Sequence, residues 1–287
     1  MSAGGGGGGG GGRWRCASHA GSWYSSKPAA LTAQMEGWLA AVAPLAAGPA
    51  PRAIIGPHAG FDYSGPTAAH AYRHIVPEVR QQRSLLCQQP SSARCAGVLL
   101  QGIKRVFILG PSHHVYLRAC CTTGCEAYDS PFGPMAVDAA VTAALGATGH
   151  FQAMSRKVDE AEHSLELHLP FVAHLFQGRD IQLVPILVGA LTPALQGLYG
   201  EIFAPYLDDP ANFFVISTDF CHWGARFDFI SYDKSAGPIS SSIEALDRQG
   251  MYCIAEQDAA AFTEYIAKTG APERAWRRTH QSCAASC

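Results

Sequence analysis

Three short runs of apolar residues each end at a turn that carries a histidine. The runs are Arg52–Gly56, Arg105–Gly110 and Asn212–Ser217. Continuous apolar runs of this length are typical of strands that are buried on both faces of a parallel sheet. In such a sheet the ligand site lies beyond the carboxyl ends of the strands. We therefore predict an α/β fold, with a central mostly parallel sheet flanked by helices, in which four side chains converge on one cleft: His58, His113, Asp219 and His222.

Amphipathic stretches between these runs predict the helices that cover the sheet. They lie at residues 30–42, 64–74, 138–148, 159–176, 195–207, 240–251 and 259–268. The Gly65-Pro66 pair is expected at the entrance of the second helix, and Pro170 is expected to kink the fourth. Further strands are predicted at residues 119–128 and 181–189. The internal Pro185 indicates that its strand lies near an edge or a bulge.

Segments of biased composition bound a single domain that is predicted over residues 16–268. Residues 1–15 are rich in glycine, cannot bury apolar surface and are expected to be disordered. Residues 81–102 are rich in Gln, Ser, Cys and Arg without periodicity, which predicts an inserted loop. Residues 269–287 also lack periodicity and predict a disordered tail.

The overall composition narrows the classes of partner. The chain has 287 residues, of which 48% are hydrophobic and 15% charged, enough for a large core. A net charge of -2 without a basic stripe argues against nucleic acid. No apolar stretch approaches the about 20 residues that a membrane helix needs, so membrane insertion is not expected. The ten cysteines, in a large chain without a visible signal peptide, indicate a reduced, cytoplasmic protein.

The converging side chains suit a metal site or acid–base chemistry. Two histidines with one carboxylate match a non-haem iron triad, and zinc is also compatible. Each residue has a structural alternative, in which a histidine bonds its own turn and Asp219 caps a helix. Secondary candidates for the same cleft are His114, His163 and Glu166. The cysteines at 120, 121 and 125 lack a paired C-x-x-C partner and are interpreted as structural thiols.

Six motifs in order resemble the Memo family (mediator of ErbB-driven cell motility). They are SHAGSWY at 18–24, AIIGPHAG at 53–60, FILGPSHH at 107–114, EHSLELHLP at 162–170, PILVGA at 185–190 and STDFCHWG at 217–224. The resemblance spans residues 16–268, interrupted by the inserted loop. It implies a fold like that of the class III extradiol dioxygenases, an α/β sandwich around a metal cleft.

The resemblance also implies roles for individual residues. His58 and His113 match the two metal-binding histidines of the family, and Asp219 and His222 match polar residues that line the cleft. The implied cofactor is iron or copper, with copper-linked redox activity. The implied partners are a phosphotyrosine peptide of a receptor kinase or an adaptor protein. The implied role is to relay receptor signals to cell motility and microtubules from the cytoplasm, with a further pool in the nucleus.

The chain departs from the family after Lys268. The family's third metal ligand is a cysteine in a Cys-Gly-Arg-His-Pro segment, and residues 269–287 do not match that segment. We therefore expect a splice variant or an incomplete gene model, with weaker metal binding and an exposed sheet edge. Asp219 or His222 is the expected substitute ligand.

Three functions remain open at this point. The first is a Memo-type signalling protein with a metal-capable cleft. The second is an iron-dependent extradiol-type dioxygenase, which requires Asp219 to lie close to both His58 and His113. The third is a phosphotyrosine-peptide-binding module that works without a metal. An oxidoreductase activity, dependent on copper or iron, follows only from the first two.

Overall fold

A computed structural model of the chain describes residues 13–43, 51–76, 98–99 and 102–269. The strands are β1 (Trp14–Arg15), β2 (Ala53–Gly56), β3 (Ile75–Val76), β4 (Val98–Leu99), β5 (Arg105–Pro111), β6 (Cys121–Thr123), β7 (Ala127–Tyr128), β8 (Met135–Ala136), β9 (Gln152–Met154), β10 (Gln182–Val188) and β11 (Asn212–Ser217). The helices are α1 (Pro28–Ala41), α2 (Phe61–Tyr72), α3 (Ala139–Ala147), α4 (Arg156–Ala161), α5 (His163–Glu166), α6 (Leu169–Leu175), α7 (Pro193–Asp208), α8 (Ile239–Ala255) and α9 (Ala259–Thr269).

The central sheet has six strands in the order β2-β11-β5-β10-β6-β9. The first four strands in this order are parallel, and only the β10–β6 pair is antiparallel. The three predicted strands are therefore neighbours, with β11 paired to β2 on one side and to β5 on the other. Their carboxyl ends lie at the same edge of the sheet, as predicted, and the α/β class with its mostly parallel sheet is confirmed.

Both faces of the sheet are covered by apolar side chains, which explains the continuous apolar runs. On β5, Val106 and Ile108 belong to the core that includes α1, α2 and α6. Phe107 and Leu109 belong to the opposite core, which includes Tyr199 of α7. Within that second core, Phe107 stacks on Phe214 of β11 with ring centroids 4.5 Å apart.

Helix α2 begins earlier than the sequence indicates. Its first residue is Phe61, and Gly65-Pro66 lies inside the helix rather than at its entrance. Packing between helices explains the position of Gly65, because the Trp38 ring of α1 lies directly against it. A Cβ atom at position 65 would stand 2.2 Å from that ring, so only glycine allows the two helices to approach this closely.

Residues 159–176 form parts of three short helices instead of one kinked helix. The break falls at Glu162, which has extended backbone angles (φ −87°, ψ 127°) between α4 and α5. Its carboxylate accepts hydrogen bonds from the backbone N–H groups of His163 and Ser164 and so caps α5. Pro170 lies in the first turn of α6, where proline needs no hydrogen-bond partner, and causes no kink.

Pro185 lies in an interior strand, although its strand was expected near an edge or a bulge. The backbone N–H of Gln182 in β10 donates to Lys104 on the β5 side. Because strand residues alternate, the nitrogen of Pro185 faces the β6 side. The β6 ladder begins only at Ile186, so the missing N–H of proline costs no ladder bond there.

Some described residues fall in segments that the sequence predicted to be irregular. Strand β1 lies within the glycine-rich stretch predicted as disordered, and its Arg15 is fully buried. Strand β4 lies within the predicted inserted loop and pairs in parallel with β3. The stretch 119–128 holds β6 and β7, which belong to different sheets. The remainder of the loop and of the predicted tail lies outside the described residues. No helix in the described part of the chain is long and apolar enough to cross a bilayer.

Candidate functional site

Three histidines meet at the carboxyl edge of the sheet. His58 follows β2, His113 follows β5, and His163 is the first residue of α5. One nitrogen from each ring lies within 4.8 Å of the other two, a spacing suited to a metal ion. The ring centroids of His113 and His163 are 4.0 Å apart, and those of His58 and His113 are 5.1 Å apart. The predicted pair His58 and His113 is thus brought together, with His163 as its third member.

His58 is held from two sides by β11 and the turn that follows it. Nδ1 of His58 lies 2.7 Å from the hydroxyl of Ser217, the last residue of β11. The backbone N–H of His58 donates to Asp219, whose second carboxylate oxygen lies 3.4 Å from Nε2 of His58. Burial lowers the pKa of His58 to about 4, although Asp219 partly opposes this effect. His58 is therefore a neutral imidazole at pH 7, the form that binds metals.

His113 is held by Glu162. Nδ1 of His113 lies 2.7 Å from one carboxylate oxygen, and the backbone N–H of His113 donates to the other oxygen at 2.7 Å. Burial would raise the pKa of Glu162, but the hydrogen bond and positive potential of His113 outweigh burial and hold that pKa well below its usual range. Glu162 is therefore an ionised hydrogen-bond acceptor in this position.

His163 packs among aromatic rings at the entrance of α5. Burial, followed by the proximity of His113, lowers the pKa of His163 to about 3. Its ring centroid lies 4.6 Å from Trp23 and 6.0 Å from His19, both in the turn that precedes α1. These two residues belong to the first family-like motif, and nothing in the pattern around them indicated separately that they adjoin the cleft.

Asp219 and His222 lie side by side next to His58. Nε2 of His222 is 3.2 Å from Asp219, and 37% of the His222 side chain is exposed. Burial would raise the pKa of Asp219, but His58 and the hydrogen bond with His222 hold it well below its usual range. Within the described residues, no carboxylate joins the three-histidine group at the same spacing. Asp219 therefore lies beside His58 and His222 but outside this group, whose third donor is His163 rather than Asp219 or His222.

The remaining secondary candidates lie at the margin of the site. His114 is exposed, and its ring centroid is 6.1 Å from that of His163. Glu166 is buried, and its carboxylate binds Nη1 of Arg15, the hydroxyl of Tyr24 and Nδ1 of His19. Glu166 thus contributes to the cleft only through His19, because its oxygens face this buried network.

The cysteines interpreted as structural are buried in the core. Cys120, Cys121 and Cys125 expose 7% of their surface or less. Burial raises the pKa of Cys121 to about 11, so its thiol stays protonated at pH 7. None of the three joins a metal-ligand cluster in the described part of the chain.

The residues present fit a transition-metal ion. The donor set consists of nitrogen atoms from three imidazoles, which suit zinc, copper, iron and nickel. Calcium and magnesium prefer oxygen ligands, so the site does not suit them. Ser217 and Glu162 hold two of the imidazoles from behind, as expected for the outer partners of metal ligands.

Comparison with known proteins decides the family of this fold and site. The family model described as Memo-like protein matches residues 15–272. The chain belongs to the Memo family. Protein MEMO1 of Danio rerio is 44% identical over 256 residues, which cover 88% of this chain and 78% of the relative. Protein MEMO1 of Homo sapiens is 42% identical with the same two coverages. The Protein memo-1 homolog of Caenorhabditis elegans is 44% identical over 89% of this chain and 66% of the relative.

Membership in the Memo family confirms the resemblance that the six motifs indicated. It also agrees with the observed fold, since the six-stranded sheet flanked by helices is the predicted dioxygenase-like arrangement. Four of the motifs contain the residues that meet at the cleft, on β2, β5, α5 and the turn after β11.

Proposed function

We propose that this chain is a Memo-type signalling protein whose cleft binds an iron or copper ion. The supporting observation is the meeting of His58, His113 and His163 within 4.8 Å in a member of this family. Such an ion, when bound, supplies one-electron redox chemistry and a site for oxygen or another small ligand. A copper- or iron-dependent oxidoreductase activity would follow from that ion.

The chain's own residues around the cleft would bind and orient a ligand. Asp219 is fixed by the backbone N–H of His58 and faces His222. The partly exposed His222 would present its ring to an incoming water or ligand from the open side. Trp23, which is 38% exposed and packs on His163, would shield that ring from water.

Metal analysis tests the metal-binding part of this proposal. The protein would be produced in medium with added iron, copper and zinc, and its metal content measured by mass spectrometry. We expect near-stoichiometric metal that is lost in a His58→Ala/His113→Ala double variant. His114→Ala is the matched control, because His114 is adjacent but exposed, and it should retain the metal. Equal metal content in the unaltered protein and the double variant would contradict the assignment.

The signalling part of the proposal concerns partners and location. We propose that the protein binds a phosphotyrosine peptide of a receptor kinase, or an adaptor protein, in the cytoplasm with a further pool in the nucleus. From there it would relay receptor tyrosine kinase signals to cell motility and microtubules. A mostly apolar cavity of about 500 Å³, which adjoins Asp219 and is lined by Ile55, Phe220 and Met251, supports a peptide ligand.

Peptide titration separates signalling with a metal from signalling without one. A fluorescent phosphotyrosine peptide and its unphosphorylated copy would be titrated by anisotropy against the unaltered protein and the double variant. Selective binding that weakens in the double variant supports a metal-dependent cleft. Unchanged affinity in the double variant favours the metal-independent peptide module instead. Equal affinity for both peptides would contradict phosphotyrosine recognition.

The dioxygenase alternative has weaker support. It needs a carboxylate close to both His58 and His113, whereas Asp219 lies beside His58 and outside the three-histidine group. Oxygen consumption and ring cleavage, measured with catechol on iron-loaded protein, would reopen this alternative.

A further inference from the structure

Four hydrogen-bond donors reach the single carboxylate of Glu162. One is Nδ1 of the His113 ring, and the others are the backbone N–H groups of His113, His163 and Ser164, at 2.7 to 3.0 Å. The carboxylate is 1% exposed, so these bonds form in a medium of low polarity where they are strong. One side chain thus holds both the ring of His113 and the helix turn from which His163 projects.

The bond to Glu162 determines the tautomer of His113. Both oxygens of Glu162 already accept backbone N–H groups, Oε2 from His113 and Oε1 from His163 and Ser164. Oε1 therefore acts as an acceptor toward Nδ1 of His113 as well, and that nitrogen carries the hydrogen. In the neutral ring, Nε2 then keeps its lone pair for a cation.

Ser217 determines the tautomer of His58 by a different route. The Ser217 hydroxyl has one hydrogen, which it donates to the backbone carbonyl of Ser164 at 2.7 Å. Toward Nδ1 of His58, also at 2.7 Å, the hydroxyl must therefore accept. Nδ1 of His58 carries the hydrogen as well, so in both His58 and His113 the nitrogen left for a metal ion is Nε2.

Glu162 and Ser217 also orient the segment that carries His163. Its backbone N–H donates to Glu162, and Ser164 next to it bonds both Ser217 and Pro111. Nδ1 of His163 is buried and lies 3.5 Å from Oε1 of Glu162, and it makes no hydrogen bond to any described residue. The ring faces His113 at 4.0 Å between centroids, so both can turn toward one ion.

We propose that Glu162 is the positioning residue of a three-nitrogen site for a late first-row transition-metal ion, with His163 as its third ligand. This inference rests on the proposed metal-binding function and assigns the ligand that Asp219 or His222 was expected to supply. Bonds of about 2.1 Å place two ligand nitrogens at most about 4.2 Å apart. The observed spacing within 4.8 Å therefore needs only a small inward turn of the rings. All three proposed ligands lie within the described residues.

Metal titration with matched variants tests the proposal. Metal-free protein would be titrated with Zn²⁺ by calorimetry and with Co²⁺ by visible absorption, which reports the number and type of ligands. We expect Glu162→Gln to weaken the affinity for both ions about 10- to 100-fold, the usual effect of losing an outer partner of a metal ligand. His163→Ala should weaken binding further and change the Co²⁺ spectrum.

Glu160→Gln is the control for Glu162→Gln, because Glu160 lies on the adjacent helix and, among the described residues, its hydrogen bonds go to Arg156 and to the segment 16–18. Its Co²⁺ affinity should stay within about twofold of the unaltered protein. If His58→Ala and His113→Ala abolish binding while Glu162→Gln and His163→Ala do not affect it, this inference fails and the proposed metal function survives. If the unaltered protein binds neither ion, the proposed function itself fails.

A measurement on the unaltered protein covers the case in which Glu162→Gln does not fold. Long-range ¹⁵N–¹H NMR spectra distinguish the two neutral tautomers of histidine. We expect the Nδ1–H form for both His58 and His113 in the metal-free protein at pH 7.5. An Nε2–H form of His113 would overturn the role of Glu162.

Discussion

Nη1 of Arg15 donates to Oε2 of Glu166 at 2.6 Å, and neither side chain is exposed to solvent. The same guanidinium also binds Asp159 through Nε, which places Arg15 between two buried carboxylates. Strand β1 is thereby fastened to the helices that carry His163. Since Glu166 also binds His19 and Tyr24, the network fixes the turn that borders the cleft.

Removal of Arg15 should therefore destabilise the protein strongly. Arg15→Met leaves two buried carboxylates without a counter-ion, which costs about 3–5 kcal/mol. The free energy of unfolding, measured by urea denaturation, checks this value. Arg13→Met is the control, because Arg13 is exposed and its pair with Glu126 at 3.4 Å contributes at most about 1 kcal/mol. Equal effects of the two substitutions would show that the buried network does not stabilise the fold.

Substitution by alanine should change the stability of the protein in opposite directions at two helical glycines, Gly65 and Gly197. In Gly65→Ala the new Cβ would meet the ring of Trp38 at 2.2 Å, so overpacking should destabilise the protein by about 1–3 kcal/mol. In Gly197→Ala, within α7, the new Cβ meets nothing within 4 Å. Alanine should stabilise that helix by about 0.5–1 kcal/mol. Thermal unfolding of both variants would show the two signs, and a stabilising Gly65→Ala would contradict the α1–α2 packing.

The hydroxyl of Tyr72 is a buried partner of His168. It lies 2.8 Å from Nδ1 of His168, while the Tyr72 ring stacks on Phe171. Tyr72→Phe keeps the stacking but leaves the imidazole nitrogen unsatisfied, which costs about 1–3 kcal/mol. Tyr63→Phe is the control on the same helix, because Tyr63 is 85% exposed and should change stability by less than about 0.5 kcal/mol. The denaturation midpoints of the two variants would test this difference in stability. Equal midpoints would show that the Tyr72–His168 hydrogen bond does not stabilise the fold.

Stability should fall between pH 7 and pH 5. Burial lowers the pKa of His168 to about 3, whereas histidine in an unfolded chain titrates at about 6.5. Near pH 7 both states are mostly neutral. Below about pH 6.5 the unfolded state gains a proton that the folded state does not, so the free energy of unfolding decreases, by about 2 kcal/mol at pH 5. His58 and His163, with pKa values of about 4 and 3, act in the same direction.

Comparison of two histidine variants isolates this pH effect. The free energy of unfolding would be measured with a chelator at pH 7 and pH 5 for His168→Gln and for His70→Gln, whose side chain is exposed on α2. The loss between the two pH values should shrink in His168→Gln by about 2 kcal/mol and stay unchanged in His70→Gln. The same loss in both variants would exclude His168 as a source.

The sequence predicted the three strands that lead to the cleft, and with them His58 and His113 as main and His163 as secondary candidates, because the relevant signals are local. A strand that is covered on both faces must be apolar at every position. A histidine that directly follows such a strand therefore lies at the carboxyl edge of the sheet. His58 and His113 therefore follow from β2 and β5. The helix pattern at 159–176 was less informative, since an acidic residue inside a helix and one that caps the next helix look alike. The break at Glu162 was missed for that reason.

What the sequence by itself determined is the sheet, the edge where its histidines meet and the family of the chain. Only the tertiary structure decided that His163 joins His58 and His113, and that Glu166 turns away to Arg15, which is 151 residues distant in the chain. The physical reason is that each buried polar side chain depends on hydrogen-bond partners from segments that are distant in the chain. Arg15, Glu162 and Ser217 have stable positions only because distant donors and acceptors satisfy them inside the core.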